Sequence, residues 1–282
     1  RPRVFRSRRS GRCRRYTAPM NLLAFELSTE ACSVALRVGD ETRARHEIAP
    51  RRHAELALPW AEALLAEAGL AKSQLDAIAV GRGPGAFTGV RLGISIAQGI
   101  ALALDRPIVP VSTLAALAMR AVALAPASQA GRIPVLAAID ARMNELYVGC
   151  FEIERFDAGA DGDLADAHAL GEEMLAVPDT IALPESHARW YGVGTGFAAL
   201  DGALGQRFAS HLYAVDADAL PQAADVARLA VRAFARGEAV APERVEPAYL
   251  RNNVALTLVE QLAARAAASR DAAAKQAAAK RE

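Results

Sequence analysis

Residues 81–93 read GRGPGAFTGVRLG and follow directly on the apolar stretch Leu75–Val80. A strand that runs into a glycine–proline turn and out into a helix brings bare backbone and a helix N-terminus together. Such a place suits a ligand or the approach of another protein. Gly83, Gly85 and Gly89 permit positive φ or close approach, and Pro84 fixes one turn residue. No Gly-Lys-Ser/Thr closes the block, so it is not a Walker A loop, and the Gly-x-Gly-x-x-Gly spacing fails at both registers. A tight structural turn is the plain alternative. The other reactive residue types form no constellation. His46, His53, His168, His187 and His211 have no chelating spacing, and no His-Glu-x-x-His is present. Cys13, Cys32 and Cys150 are odd in number and far apart, which fits a reducing cytoplasm. Ser95, within Gly93–Ala97, is a near miss for a nucleophile elbow, but it falls inside a predicted helix rather than at its start. No catalytic residue and no metal ligand set is read from the sequence.

The elements that must position the glycine block come from a chain of 282 residues, 52% of them hydrophobic, enough for two modest domains. No apolar run of 18 uncharged residues predicts a membrane span. Residues 1–19 carry eight arginines and no acid, so the net charge of +1 for the whole chain becomes −7 from Met20 onward. That basic extension has no apolar h-region; we read it as an upstream extension or misplaced start, with a nucleic-acid-binding arm as the alternative. Residues 259–282 form an Ala/Lys-rich polar tail with no face to bury.

Between these ends the chain reads as a duplication. Three short strands (NLLAFELS, CSVALRVG, TRARHEIA) precede a helix from about His53 to Ala68, then the strand AIAV, the helix after Gly89, the strand RPIVPV and a helix from Ser112. The order is βββαβαβα. Val135–Glu154 begins it again: its first strand ends in Asp140 where the earlier one ends in Glu26, and Trp190–Phe197 echoes the glycine turn. A helix is predicted over Ala223–Ala235. Two α/β lobes follow, over residues 20–126 and 127–258, joined near Leu124–Arg132.

A duplicated βββαβαβα unit resembles the actin, Hsp70 and sugar-kinase superfamily. The resemblance implies a nucleotide in the cleft between lobes, a first hairpin that grips phosphate, and an acid ending strand one that holds the metal. The corresponding residues are Glu26, Ser28, Thr29 and Ser33, with Gly83 and Gly85 beside them. Hydroxyls are also simply what hairpin turns contain.

ELSTEACSVAL, RRHAELALPWAEALLAEAGL, the segment from Leu75 to Leu117 and VLAAIDARMNELYVG carry a closer resemblance. Together they resemble the TsaB (YeaZ) family, the small bacterial branch of the Kae1/TsaD group, over about Met20–Asn253. The resemblance implies a part in making threonylcarbamoyladenosine on tRNA, at the adenosine 3′ of the anticodon. In that scheme a separate enzyme makes threonylcarbamoyl-adenylate, TsaD transfers the group, TsaB is its non-catalytic partner and TsaE is a small ATPase in the assembly. The transferase holds its metal through a His-x-x-x-His pair; this chain has Thr113 and Leu117 at those places, and an aliphatic side chain offers no lone pair. The family usually has aspartate where this chain has Glu26, and the added methylene moves the carboxylate by about 1 Å.

The resemblance therefore implies a scaffold that binds TsaD. The helix from Leu92 is apolar nearly all round, with Leu92, Ile96 and Ile100 on one stripe and Ile94, Ala97 and Ala101 on another. Only one stripe can face its own sheet. His53, Leu56 and Trp60 begin the neighbouring helix, and the two helices packing on each other alone is the plainer reading. Small residues on like helices permit a homodimer. No cofactor is required, ATP or ADP having a place at the subunit boundary. A body at −7 repels a phosphate backbone, so tRNA contact is indirect. The alternative from another class is an ATP-hydrolysing or phosphotransfer enzyme of the actin-like superfamily.

Overall fold

A computed structural model of the chain describes residues 20–126, 131–155 and 165–251. The basic extension of residues 1–19 and the tail of residues 259–282 lie outside the described residues. The first half contains β1 (Asn21–Glu26), β2 (Ala31–Val38), β3 (Glu41–Ile48), α1 (His53–Glu67), β4 (Ala77–Gly81), α2 (Phe87–Leu104), β5 (Ile108–Val111) and α3 (Thr113–Ala118), which continues as a 3-10 turn over Met119–Ala123. The second contains β6 (Arg132–Asp140), β7 (Leu146–Arg155), β8 (Ala165–Ala169), β9 (Met174–Ala176), β10 (Trp190–Val193), α4 (Ala203–Arg207), β11 (Leu212–Asp216) and α5 (Ala223–Ala235).

The duplication is visible in the strand order. The first sheet runs β3-β2-β1-β4-β5, and the second runs β8-β7-β6-β10-β11 with β9 also paired to β7. In each, the central strand is antiparallel to the next strand in sequence and parallel to the strand on its other side. This is the duplicated actin-like α/β architecture that the element order implies. The second half carries it in reduced form. No α-helix separates β9 from β10, where Pro178 and Pro184 interrupt the chain, and the β10–β11 crossover is made of short 3-10 turns and the five-residue α4.

The layers explain the sequence. β1 is buried at five of its six residues because both faces of its sheet are covered, hence its continuous apolar run. α1 and α2 cover the outer face of the first sheet, and short helical turns cover the outer face of the second. Between the sheets lie α3 and α5, around the largest apolar cluster. The two middle helices are exchanged between halves: α5 packs on β1, β2, β4 and β5, whereas α3 packs on β6 and β7. Ser33 of β2 completes the exchange by accepting the Ala223 N–H at the start of α5 at 2.9 Å, a capping role that Gln222, the local N-cap residue, does not fill.

α2 is 18 residues long and apolar enough, at a mean hydropathy of 1.5, to match a membrane span by length and composition. It is nevertheless the crossover between two neighbouring parallel strands of one sheet, with Ala97 and Ala101 wholly buried against that sheet. Both its ends are therefore held on the same structure.

Candidate functional site

The glycine block joins β4 to α2, and three of its glycines, Gly83, Gly85 and Gly89, are required by conformation or by space. Gly83 has φ +93°, in the left-handed region, and its peptide to Pro84 is cis. At Gly85 and Gly89 space decides. A Cβ at Gly85 would lie 2.4 Å from the Ser28 carbonyl oxygen, and one at Gly89 would lie 2.0 Å from that of Leu27. The start of α2 thus rests directly on the backbone that leaves β1. The second half repeats the device, where a Cβ at Gly194 would lie 2.3 Å from the Ala138 carbonyl oxygen.

Beneath the turn lies Glu26, 0% exposed. Its Oε1 accepts from Ser28 N at 2.9 Å and from Ser28 Oγ at 2.5 Å, and its Oε2 accepts from Thr113 Oγ1 at 3.1 Å. Thr113 Oγ1 in turn accepts from Gly83 N at 3.2 Å, and Thr113 N donates to Gly83 O at 3.0 Å. One side chain therefore ties together the end of β1, the glycine turn and the start of α3. The extra methylene that distinguishes it from aspartate has room because Gly81 has no side chain: a Cβ there would fall 1.9 Å from Glu26 Oε2. Burial pushes the Glu26 carboxyl above its usual range, against the opposing hydrogen bonds from Ser28 and Thr113.

The residues expected to grip phosphate have structural contacts here: Glu26 and Ser28 bind each other, Thr29 Oγ1 is 3.4 Å from Ala31 N and nearly buried, and Ser33 caps α5. Gly83 and Gly85 shape the turn. Thr113 and Leu117, which the resemblance sets against a metal-binding histidine pair, have structural places. Thr113 belongs to the Glu26 staple, and Leu117 is fully buried in the middle layer, where it meets Gly194. The cysteines within the described residues are poor nucleophiles: burial pushes the thiols of Cys32 and Cys150 up to about 11.

The second candidate region is the outer face of α1 and α2. Ile94, Ala97 and Ala101 lie buried against the first sheet, so that stripe is removed from the partner-facing residues. The row Gly89, Gly93, Ala97, Ala101, spaced by four, is the one that lets α2 approach the sheet closely. Leu92, Ile96 and Ile100 are half-buried, as are Leu56 and Trp60 of α1. His53 is half-buried too, its Nε2 turned inward to the Thr29 carbonyl at 3.0 Å and the Ala31 carbonyl at 3.2 Å. It anchors the first hairpin rather than projecting outward.

Sequence reasoning missed the residues that stand furthest out. Phe87 is 53% exposed with the Arg91 guanidinium 3.6 Å above its ring, Leu102 is 63% exposed, and Leu58 of α1 is exposed as well. Between Phe87 and Leu102 the outer row of α2 carries Ser95 and Gly99, the latter with nothing within 4 Å of where its Cβ would be. The outer row of α2 thus has an exposed apolar side chain near each end, with Ser95 and Gly99 between them. Starting the helix at Phe87 instead of after Gly89 would have placed Phe87 on this row.

Comparison with known proteins fits this geometry. The profile of the TsaD family, tRNA N6-adenosine threonylcarbamoyltransferase, matches residues 45–258. The tRNA threonylcarbamoyladenosine biosynthesis protein TsaB of Escherichia coli is 40% identical over 239 residues, 84% of this chain and 96% of that protein. The protein of the same name from Haemophilus influenzae is 39% identical over 236 residues, 83% of this chain and 95% of its own length. Among solved structures, YeaZ from Pseudomonas aeruginosa superposes with a TM-score of 0.67 at 42% identity, covering 82% of this chain and all of that one. With relatives of this similarity aligned over 95% or more of their own length, the chain belongs to the TsaB (YeaZ) family, within the larger group that includes the TsaD transferases.

Proposed function

We propose that the chain is the non-catalytic partner of a TsaD-type transferase in the biosynthesis of threonylcarbamoyladenosine on tRNA, and that it docks through the outer face of α1 and α2. The observation that carries this reading is a contrast. The places where a transferase needs metal ligands hold Thr113 and Leu117, both fully buried in structural roles, while an 18-residue helix leaves the apolar side chains of Phe87 and Leu102 exposed near its two ends. A chain that lends surface rather than chemistry accounts for both. The supply of basic surface for tRNA then falls to the transferase, the TsaE ATPase joins the larger assembly, and the place of action is the cytoplasm. The same face permits self-association when the transferase is absent.

The test is co-purification with the transferase. Ile96→Arg and Trp60→Arg place a charge on α2 and on α1; each is expected to abolish capture of TsaD while the far-ultraviolet circular dichroism of the variant stays that of the parent. Undiminished capture by both variants would refute the docking face. Magnesium-dependent nucleotide turnover by the purified chain, lost in Glu26→Gln or Thr29→Ala, would refute the non-catalytic reading in favour of an actin-like phosphotransfer enzyme.

A further inference from the structure

β8 and β9 are two stretches along the same side of β7: Ala169 pairs with Phe151, and Met174 pairs with Val148. Between them, residues 170–173 stand opposite only Gly149 and Cys150, so the chain must arch away from the sheet. Leu170 N still donates to Cys150 O at 2.8 Å, and the backbone leaves β7 beyond it. Behind the arch, on the outer face, lies a cavity of about 110 Å³ walled by Leu170, Gly171, Glu172 and Met174 together with Val148 and Cys150. Glu172 is exposed, and a Cβ at Gly171 would meet nothing within 4 Å. The arch therefore has little packing on that side.

On the other side one side chain holds it. Glu173, 13% exposed, turns toward the first half, where its Oε1 accepts from the hydroxyl of Ser112, the cap of α3, and its Oε2 lies 3.9 Å from Arg82 Nη2. Arg82 opens the glycine turn: its N–H donates to Val111 O and its carbonyl accepts from Ala248 N, both at 2.8 Å. One carboxyl thus joins a loosely packed edge of the second sheet to the segment that sets where α2 begins. The ion pair is long and the carboxyl is mostly out of water, so its charged form is poorly compensated. Burial pushes the Glu173 carboxyl above its usual range, with the Ser112 hydrogen bond and the Arg82 charge opposing. Among the described residues Arg82 is the charged group that acts on it, and Ser112 does not titrate.

We propose that Glu173 is a releasable latch between the two halves: engaged, it holds the 170–173 arch on Arg82 and Ser112; released, it lets the arch move over the cavity behind it while both sheets stay folded. A neutral carboxyl keeps its hydrogen bond with Ser112 at little cost, whereas a charged one regains water on release. Engagement is tightest in acid and weakens as pH rises from about 4.5, where the freed carboxyl titrates, to the higher value of the engaged one.

The test is hydrogen exchange of the full chain, corrected for intrinsic rates at each pH, comparing the amides of Leu170 and β9 with those of Leu136 and Ala137 at the centre of the second sheet. Between pH 4 and pH 7 the parent is expected to lose arch protection several-fold relative to the centre, at most tenfold per pH unit. Glu173→Gln keeps an acceptor for the Ser112 hydroxyl without a charge, and is expected to hold the parent's acid-side protection at every pH. Glu173→Ala removes the hold and is expected to speed arch exchange about tenfold with the centre unchanged. Should the alanine variant misfold, the parent profile and the glutamine variant still decide. A flat parent profile, a glutamine variant with the parent's pH dependence, or a folded alanine variant with the parent's exchange would each overturn the latch.

Discussion

Replacing Thr113 by valine tests whether the Glu26 staple holds the glycine turn. Valine has nearly the shape of threonine but no hydroxyl, so two buried hydrogen bonds are lost at once, Thr113 Oγ1 to Glu26 Oε2 at 3.1 Å and Gly83 N to Thr113 Oγ1 at 3.2 Å. Both partners remain buried, one a carboxyl oxygen and the other a backbone N–H. Each orphaned group costs about 1–3 kcal/mol, so the variant should lose roughly 2–6 kcal/mol of a total of about 5–15. Thr113→Ser keeps the hydroxyl and sheds one methyl group, for a loss of about 1 kcal/mol. Urea unfolding followed by circular dichroism reads the difference as a shift in midpoint at unchanged slope. The reasoning fails if the valine variant unfolds within about 0.5 kcal/mol of the parent, or if serine is as damaging as valine. Because the turn sets where α2 begins, the valine variant should also capture TsaD less well than the serine variant.

Two further outcomes follow from the same region. Gly89→Ala drives a methyl group to within 2.0 Å of the Leu27 carbonyl oxygen, with backbone on both sides, and should cost about 2–4 kcal/mol; Gly99→Ala, which meets open space on the same helix, should gain about 0.5–1 kcal/mol, and equal effects in thermal melts would contradict the close approach. The pH dependence of stability has a definite sign at Glu26. Its folded carboxyl keeps a proton that the unfolded chain releases near 4.5, so stability declines as pH rises from there to the raised folded value, by at most about 1.4 kcal/mol per pH unit for this group. Glu26→Gln removes that contribution, and its stability relative to the parent should therefore rise across this window; parallel curves would count against a raised carboxyl.

Much of the architecture is legible in the order of residues. The helix over Ala223–Ala235 has the bounds that its apolar spacing predicts, α1 departs from prediction by one residue, and the two hairpins and two glycine turns lie where the repeat places them. Periodicity fails where both sides of a helix are apolar. In α2 it presents two stripes of equal merit, and the choice is made by size: Gly89, Gly93, Ala97 and Ala101 face the sheet because only small residues fit against Leu27 and Val80. The hairpin acid and hydroxyls invite a ligand reading from their types alone. The structural contacts they make are partly local, Ser28 to Glu26, and partly from far along the chain, Thr113 for Glu26 and Ala223 for Ser33, and no local pattern carries the distant part. The reduced helices of the second half are likewise a tertiary matter, since its outer face is closed by Ile181, Phe197 and Phe208 from short turns instead of by full helices.

The exchange of α3 and α5 has a consequence for how the two halves can live apart. Severed in the connection around residues 127–131, each fragment would retain a helix made for the other and would lack the one its own sheet requires. Neither piece should be soluble when produced by itself. Produced together they should reassemble into an intact particle, two sheets of the same strand order behaving as one folding unit.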